Sequence, residues 1–154
     1  MCIRDSPHTI DAGLAVLCRD YTGNIITGIA WKVQNTTAIS SKAEAVKKAY
    51  LMAFSIPTSS VIIHSDAIRV VDACNGDLSP PDWRIQTTVA DIISIKAQQT
   101  IQPILSHTPR SANKAADWLA RAVRNGILPF DWLQNCPTAF RKIIDDDASQ
   151  KHEN

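Results

Sequence analysis

A histidine, an asparagine and an aspartate follow one another at short intervals in the last third of the sequence. The run LSHTPRSANKAADWLAR places His107, Asn113 and Asp117 six and four residues apart. Apolar residues before this run are typical of a strand, and the pattern after Asn113 is typical of a helix. Together with two carboxylates upstream, Glu44 and Asp66, the run indicates metal-dependent cleavage of a nucleic acid.

Length, charge and composition limit the classes of protein that this chain can represent. Its 154 residues are enough for one domain with a substantial core. No apolar run approaches the ~18 residues of a membrane helix, and the first residues lack the apolar run of a secretory signal. We therefore expect a soluble intracellular protein, in the cytoplasm or nucleus, without membrane contact. Since the net charge is +1, nucleic-acid binding must depend on local patches or a fused partner.

The four cysteines do not indicate a metal site. Cys2, Cys18, Cys74 and Cys136 are far apart and have no histidine at zinc-ligand spacing. We expect buried free thiols.

Apolar periodicity predicts the elements that must position the candidate site. Two apolar runs, Ala12–Cys18 and Ile25–Val33, flank a Gly-Asn turn and predict an antiparallel hairpin. The run at 61–63 predicts a buried parallel strand, and the run at 101–106 predicts an edge strand because it contains Pro103. Helices are predicted after a cap at Ser40 or Ser41, over 67–75, from 85 onward, and over 113–124 with the stripe Ala116, Leu119, Ala120 and Val123. This alternation predicts an α/β fold with a mixed sheet.

Three motifs, taken in order, carry a resemblance to a known family. Ala43-Glu44-Ala45 opens the first helix, His64-Ser65-Asp66 closes a strand, and His107-x-Pro-Arg-x-x-Asn113-x-x-Ala-Asp117-x-Leu-Ala is the most specific. The sequence resembles the ribonuclease H domain, in particular the reverse-transcriptase-like type found in plant retroelement-derived proteins, over roughly residues 12–125. The resemblance implies a ribonuclease H-like mixed five-stranded sheet flanked by helices.

The resemblance also implies a site and a reaction. Glu44, Asp66 and Asp117 would be catalytic carboxylates that bind two Mg²⁺ or Mn²⁺ ions, and His107 would move a proton or assist product release. The implied reaction is endonucleolytic hydrolysis of the RNA strand of an RNA–DNA hybrid, which is recognised by helix shape and 2′-hydroxyls. We expect a monomer whose ancestor was joined to a reverse transcriptase. Substrate contacts would come from Asn113 and Arg110, and the latter forms a small basic cluster with Lys114 and Arg121.

Each of these residues also has a purely structural interpretation. Glu44 and Asp117 are carboxylates that the helix dipole favours in a first turn, and Asp66 is a possible helix N-cap. His107 is equally suited to a loop-stabilising hydrogen bond. Three acids in the family's order on a matching layout nevertheless favour the family interpretation.

The two ends of the chain depart from the family pattern. The family's first and central strand carries a further metal-binding aspartate, for which Asp5 is the candidate, because we expect Asp11 in the loop before the next strand. Residues 1–11 are therefore interpreted as a short, foreign leader or a remnant of strand 1, so that the central strand is truncated or replaced. We expect residues 126–154 to form a C-terminal extension that is disordered from about residue 145, where an acidic run begins.

Two other functions compete with the nuclease. A catalytically inactive, retroelement-derived module would retain the fold and bind nucleic acid or protein. A small-molecule α/β binding protein is disfavoured, because no glycine-rich phosphate loop follows any predicted strand.

Overall fold

Strands and helices alternate along the chain. The structure is a computed structural model that describes residues 10–77 and 81–151. The strands in these ranges are β1 (Ile10–Arg19), β2 (Ile25–Thr36), β3 (Ile62–Ser65) and β4 (Ile104–His107). The helices are α1 (Ala38–Phe54), α2 (Ile68–Asn75), α3 (Gln86–Ala97), α4 (Lys114–Arg124) and α5 (Thr138–Lys151), with a 3₁₀ turn at Arg110–Ala112. The predicted α/β class is confirmed.

The described strands pair as two two-stranded sheets. In the hairpin of β1 and β2, the Asp20 amide donates a 2.9 Å hydrogen bond to the Asn24 carbonyl across the predicted turn. Strands β3 and β4 are parallel, with Ile62 opposite Ile104. The strand expected before residue 10, which would join the two pairs in a five-stranded sheet, lies outside the described residues.

The start of β1 corrects one expectation about the loop before the hairpin. Asp11 lies within β1 rather than in a loop, because the strand begins at Ile10. Its Oδ1 accepts a 3.3 Å hydrogen bond from the amide of Asn35, near the other end of the hairpin.

The chain divides into two compact units. Among the described residues, the first contains 10–12 and most of 33–108. In it α1, α2 and α3 pack together, with α1 and α2 also contacting the β3–β4 pair. Its core is mainly aliphatic, and its members include Val46, Tyr50, Ile63, Val70, Val71, Cys74, Ile85, Val89, Ile92 and Leu105. Burial raises the pKa of the Cys74 thiol to about 11. Of the three described free cysteines, Cys74 is buried as predicted, whereas Cys18 and Cys136 are partly exposed.

The second unit contains Gly13–Lys32 and the residues from Pro109 onward. Its core is aromatic: Phe140 is fully buried, stacks on Trp118 at 5.3 Å between ring centroids, and meets Trp132 edge-on at 5.8 Å. Helix α4 buries Ala115, Leu119 and Ala122, and the first two of these belong to this core. The predicted stripe shared only Leu119 with that face, because the helix is rotated by one residue relative to the prediction.

Helix α5 includes the acidic run near residue 145, the segment for which the sequence predicts disorder. The acidic residues Asp145–Asp147 lie inside this helix. Ile143 and Ile144 pack against the aromatic core, and the guanidinium of Arg19 donates to Asp147 Oδ2 at 3.2 Å. Apolar contacts of two isoleucines and an ion pair one turn later therefore stabilise this segment of the helix.

None of the helices in the described ranges combines the length and apolar character needed to cross a membrane.

Candidate functional site

Asp66 and His107 come from neighbouring ends of the parallel pair. Asp66 directly follows β3, and His107 is the last residue of β4, opposite Ser65. The amide of Thr108 donates a 2.9 Å hydrogen bond to the Ser65 carbonyl, so the pairing continues past His107. Both residues thus lie at the carboxyl edge of these strands, where α/β proteins commonly place their sites.

The Asp66 carboxylate is held by a lysine that sequence reasoning missed. Lys42 on α1 donates from Nζ to Asp66 Oδ1 at 2.5 Å. The side chain of Asp66 is only 14% exposed, whereas that of Lys42 is 35% exposed. No sequence motif marked Lys42, because the pair joins residues 24 positions apart through the packing of α1 on β3.

Asp66 does not act as a helix cap. The N-cap of α2 is Ala67, and no side chain caps that helix. The hydroxyl of Ser65 instead accepts a 3.2 Å hydrogen bond from the Ala67 amide. The N-cap interpretation of Asp66 is therefore not supported, and its carboxylate faces a cavity of about 270 Å³ that Lys42 and Arg69 also line.

Glu44 on α1 contacts helix α3. Thr37, and not Ser40 or Ser41, caps α1, since its hydroxyl accepts a 3.2 Å hydrogen bond from the Ser40 amide. Glu44 therefore lies in the second turn rather than at the start of the helix. Its Oε1 accepts a 3.2 Å hydrogen bond from Thr88 on α3.

The charge of Glu44 also raises the pKa of a lysine on the same helix. A hydrogen bond to Asp91 raises the pKa of Lys47, and the charges of Glu44 and Asp91 raise it further. Lys47 Nζ lies 2.8 Å from Asp91 Oδ2 on α3. Glu44 thus belongs electrostatically to the contact between α1 and α3.

The second unit carries the remaining site candidates. Asp117 lies in the first turn of α4, where the helix dipole favours a carboxylate. Arg121, one turn later, donates from Nη2 to Asp117 Oδ2 at 2.5 Å. Asn113 is the N-cap of α4 without a side-chain capping hydrogen bond, and Arg110 opens the 3₁₀ turn before it.

The described side chains do not fit a divalent metal ion as they are arranged. Cations hold Asp66 and Asp117, and Glu44 accepts from a hydroxyl. Within residues 10–77 and 81–151, no three histidine, cysteine, aspartate or glutamate side chains come together in a group that could hold a metal. The assignment of Glu44, Asp66 and Asp117 as metal ligands remains a prediction, and Asp5 lies outside the described residues.

Comparison with solved structures identifies the fold. The ribonuclease H1 called LC11, solved with an RNA/DNA hybrid, matches with a TM-score of 0.69 at 21% identity, covering 79% of this chain and 91% of that chain. Ribonuclease H1 from the archaeon Halobacterium salinarum matches with a TM-score of 0.70 at 16% identity, over 79% and 92% of the two chains. A foamy viral protease-reverse transcriptase with an RNA/DNA hybrid matches at 0.60 and 19% identity, over 74% of this chain and 17% of that chain. The fold is that of a ribonuclease H domain.

Comparison of the sequence with protein families identifies the family. The model described as "Reverse transcriptase-like" matches residues 6–123. The chain therefore belongs to the reverse transcriptase-like family, as its motifs predicted. None of the curated proteins matches the sequence.

Proposed function

We propose that this chain is a ribonuclease H-type endonuclease that hydrolyses the RNA strand of RNA–DNA hybrids, with Mg²⁺ or Mn²⁺ as cofactor. The observation that carries the proposal is the placement of Asp66 and His107 at one edge of the parallel pair, each within a family motif. Membership of the reverse transcriptase-like family supports it. Two structural neighbours, LC11 ribonuclease H1 and the foamy viral protease-reverse transcriptase, form complexes with RNA/DNA hybrids, which also supports the proposal.

The proposal assigns distinct roles to the named residues. Asp66 is the carboxylate closest to the reaction, and Glu44 and Asp117 are the other predicted acids. His107 is exposed at the end of β4, and an imidazole ring can both accept and donate a proton, which suits it to proton transfer during hydrolysis. Asn113 and Arg110 contact the sugar-phosphate backbone, so recognition depends on duplex shape rather than on base sequence.

A cleavage assay with matched variants tests the proposal. The full chain is incubated with an end-labelled hybrid in Mg²⁺ or Mn²⁺, beside Asp66→Asn and the control Asp72→Asn, which removes the same charge from α2. We expect Asp66→Asn to lower the cleavage rate by about a hundredfold or more, and Asp72→Asn to leave it unchanged. Asp5→Asn in the same assay tests whether Asp5 supplies the first carboxylate.

A second candidate function is an inactive module that binds nucleic acid without cutting it. The ion pairs of Asp66 with Lys42 and of Asp117 with Arg121 favour it, because each occupies a carboxylate that the nuclease needs. The assay distinguishes the two. One outcome is that the protein retains the hybrid on a filter but leaves it uncut, and that a chain extended upstream with an aspartate-bearing strand does the same. That result would support the module and overturn the nuclease.

A further inference from the structure

Trp83, in the turn before α3, is the exposed tryptophan of the chain. It is 74% exposed, whereas the other three tryptophans, Trp31, Trp118 and Trp132, are buried or half-buried. A single exposed apolar side chain is ordinary on a protein surface, so a role for Trp83 must be argued from its neighbours.

The turn that carries Trp83 is fixed on both sides. Asp82 accepts a 3.0 Å hydrogen bond from the Arg84 amide through Oδ1, and another of 3.0 Å from the Ile85 amide through its backbone carbonyl. The side chain of Ile85 is 1% exposed, and the hydroxyl of Ser40 on α1 donates a 3.2 Å hydrogen bond to the Arg84 carbonyl. The indole is therefore presented to solvent from an anchored turn, so a ligand that stacks on it orders little additional protein.

Two arginines share the carboxylate of Asp82, next to Trp83 in the chain. Arg84 donates to both carboxylate oxygens, from Nε to Oδ1 at 2.9 Å and from Nη2 to Oδ2 at 2.7 Å, and this bidentate pair already neutralises the carboxylate. Arg69 makes one hydrogen bond to the same group, from Nη2 to Oδ2 at 3.0 Å, and its side chain is 61% exposed against 29% for Arg84. These three residues carry one positive charge in excess, and Arg69 is the cation that an anion in solvent can reach.

Arg69 also connects this turn to the cavity beside Asp66. It lines that cavity of about 270 Å³ together with Lys42 and the half-exposed Ile68. An aromatic face, an accessible guanidinium and an ammonium group therefore lie in one region of the first unit. Proteins bind nucleic-acid strands with groups of these kinds, because aromatic rings stack on the bases and cations contact the phosphates.

We propose that Trp83 and Arg69 form a binding site for an unpaired nucleic-acid strand, in which a base stacks on the indole and an adjoining phosphate pairs with the guanidinium. The strand must be unpaired at this point, because neighbouring bases cover both faces of a base inside a duplex. Binding is insensitive to sequence, since every base has a face that can stack. The site goes beyond the proposed cleavage of a paired hybrid and does not depend on it.

Binding measured in EDTA tests the proposal, because the chelator stops any metal-dependent cleavage. The full chain is titrated against labelled oligo(dT) of about 12 nucleotides, and against the same strand paired with oligo(dA), by fluorescence anisotropy. We expect the single strand to bind more tightly than the duplex and to quench the fluorescence of Trp83. Trp83→Ala should weaken single-strand binding about tenfold, whereas Trp83→Phe, which keeps an aromatic ring, should retain most of the affinity.

Three further variants separate this site from general stickiness and charge. Arg69→Gln should weaken single-strand binding and reduce the slope of log affinity against log salt by about 0.7, the value for one lost phosphate contact. Phe130→Ala removes a fully exposed aromatic ring from the second unit, and Arg141→Gln removes an exposed arginine from α5. Both of these controls should leave the affinity unchanged.

Four results would overturn the proposal: equal affinities of Trp83→Ala and the parent chain, an equal loss in Phe130→Ala, duplex binding as tight as single-strand binding, or equally tight binding of an oligoglutamate peptide, which offers charge without bases. The readout is independent of cleavage, so this site and the nuclease fail separately. A chain that cuts hybrids while Trp83→Ala binds oligo(dT) normally overturns the strand-binding site alone.

Discussion

The two units each hold a predicted catalytic aspartate in an ion pair, but the pairs are built differently. Asp66 is 14% exposed and meets a lysine from a separate helix, so its pair exists only in the folded first unit. Asp117 is 39% exposed and meets Arg121 one turn along its own helix. The second pair is local, and exposed pairs of this kind contribute little to stability. The comparison shows that only the Asp66 pair depends on tertiary structure.

The cores of the two units differ in the kind of side chain that they bury. The first unit buries mostly aliphatic side chains between three helices and a parallel strand pair. The second depends on an aromatic cluster to which Trp132 and Phe140 contribute, and both lie beyond the last residue of the family match. Residues outside the family pattern therefore complete the core that supports Asp117.

The largest expected effect is that of a substitution at Phe140. It tests whether the second core depends on the C-terminal segment. Phe140→Ala should destabilise the chain by about 3–5 kcal/mol, because Phe140 is fully buried and contacts two tryptophans. Phe130→Ala is the matched control, since Phe130 is fully exposed, and its effect should stay within about 0.5 kcal/mol. Urea denaturation of both variants measures the difference. Equal effects would mean that the C-terminal segment is not part of the second core.

A pair of glycines tests the backbone packing of the same unit. A Cβ added at Gly13 in β1 would lie 1.8 Å from the carbonyl oxygen of Ala120 in α4, so strand and helix must separate. We expect Gly13→Ala to cost about 3 kcal/mol in the free energy of unfolding. Gly76→Ala in the first unit should cost only about 1 kcal/mol, since Gly76 has a φ of +82° but open space around it. Thermal melts that rank the two variants in the opposite order would contradict this packing.

A single carboxylate paired with two arginines in the first unit predicts a pH dependence of smaller size. Hydrogen bonds from Arg84 hold the pKa of Asp82 well below its usual range, and Arg69 adds to the effect. A depressed pKa in the folded state stabilises the fold above the unfolded pKa, and this stabilisation is lost as the pH falls below about 4. Asp82→Asn should therefore destabilise the chain at pH 7 by about 1–2 kcal/mol, with the gap closing in acid. A gap that is constant between pH 7 and pH 2 would contradict the assignment.

The smallest expected effect is the difference in coupling energy between the two aspartate ion pairs. Double-mutant cycles of Lys42→Gln with Asp66→Asn, and of Arg121→Gln with Asp117→Asn, measure the coupling energy in each pair by denaturation. We expect about 1 kcal/mol for the partly buried pair and about 0.3–0.5 kcal/mol for the helical pair. High salt should weaken the exposed pair more. A larger coupling for the helical pair would reverse the comparison on which the account depends.

Local signals predicted much of the fold. The Gly-Asn turn predicted the hairpin. The predicted helices over 67–75 and 113–124 are observed as α2 and α4, which are followed by Gly76 and Gly126 with φ of +82° and +71°. The motif His64-Ser65-Asp66 was predicted to close a strand, and Asp66 directly follows β3. The ends of α1 and the buried face of α4 were predicted less well, since which hydroxyl caps a helix and which stripe packs inward depend on neighbouring elements.

The cationic environment of the site was not predictable in the same way. Lys42 carries no motif, and its role arises only from the packing of α1 against β3. Phe130 and Phe140 are equally apolar in sequence, yet one is exposed and the other is fully buried. Sequence spacing identifies which residues the family uses, whereas tertiary packing decides what each of them touches.

We propose above that the edge carrying Asp66 acts on the RNA strand of a hybrid. The most direct measurement uses one hybrid labelled differently on its RNA and DNA strands and incubated with the full chain and Mn²⁺. The account predicts that the RNA strand is cut, that the DNA strand remains intact, and that Asp66→Asn leaves both intact. Cleavage of both strands, or binding of the hybrid without cleavage of either, would contradict it.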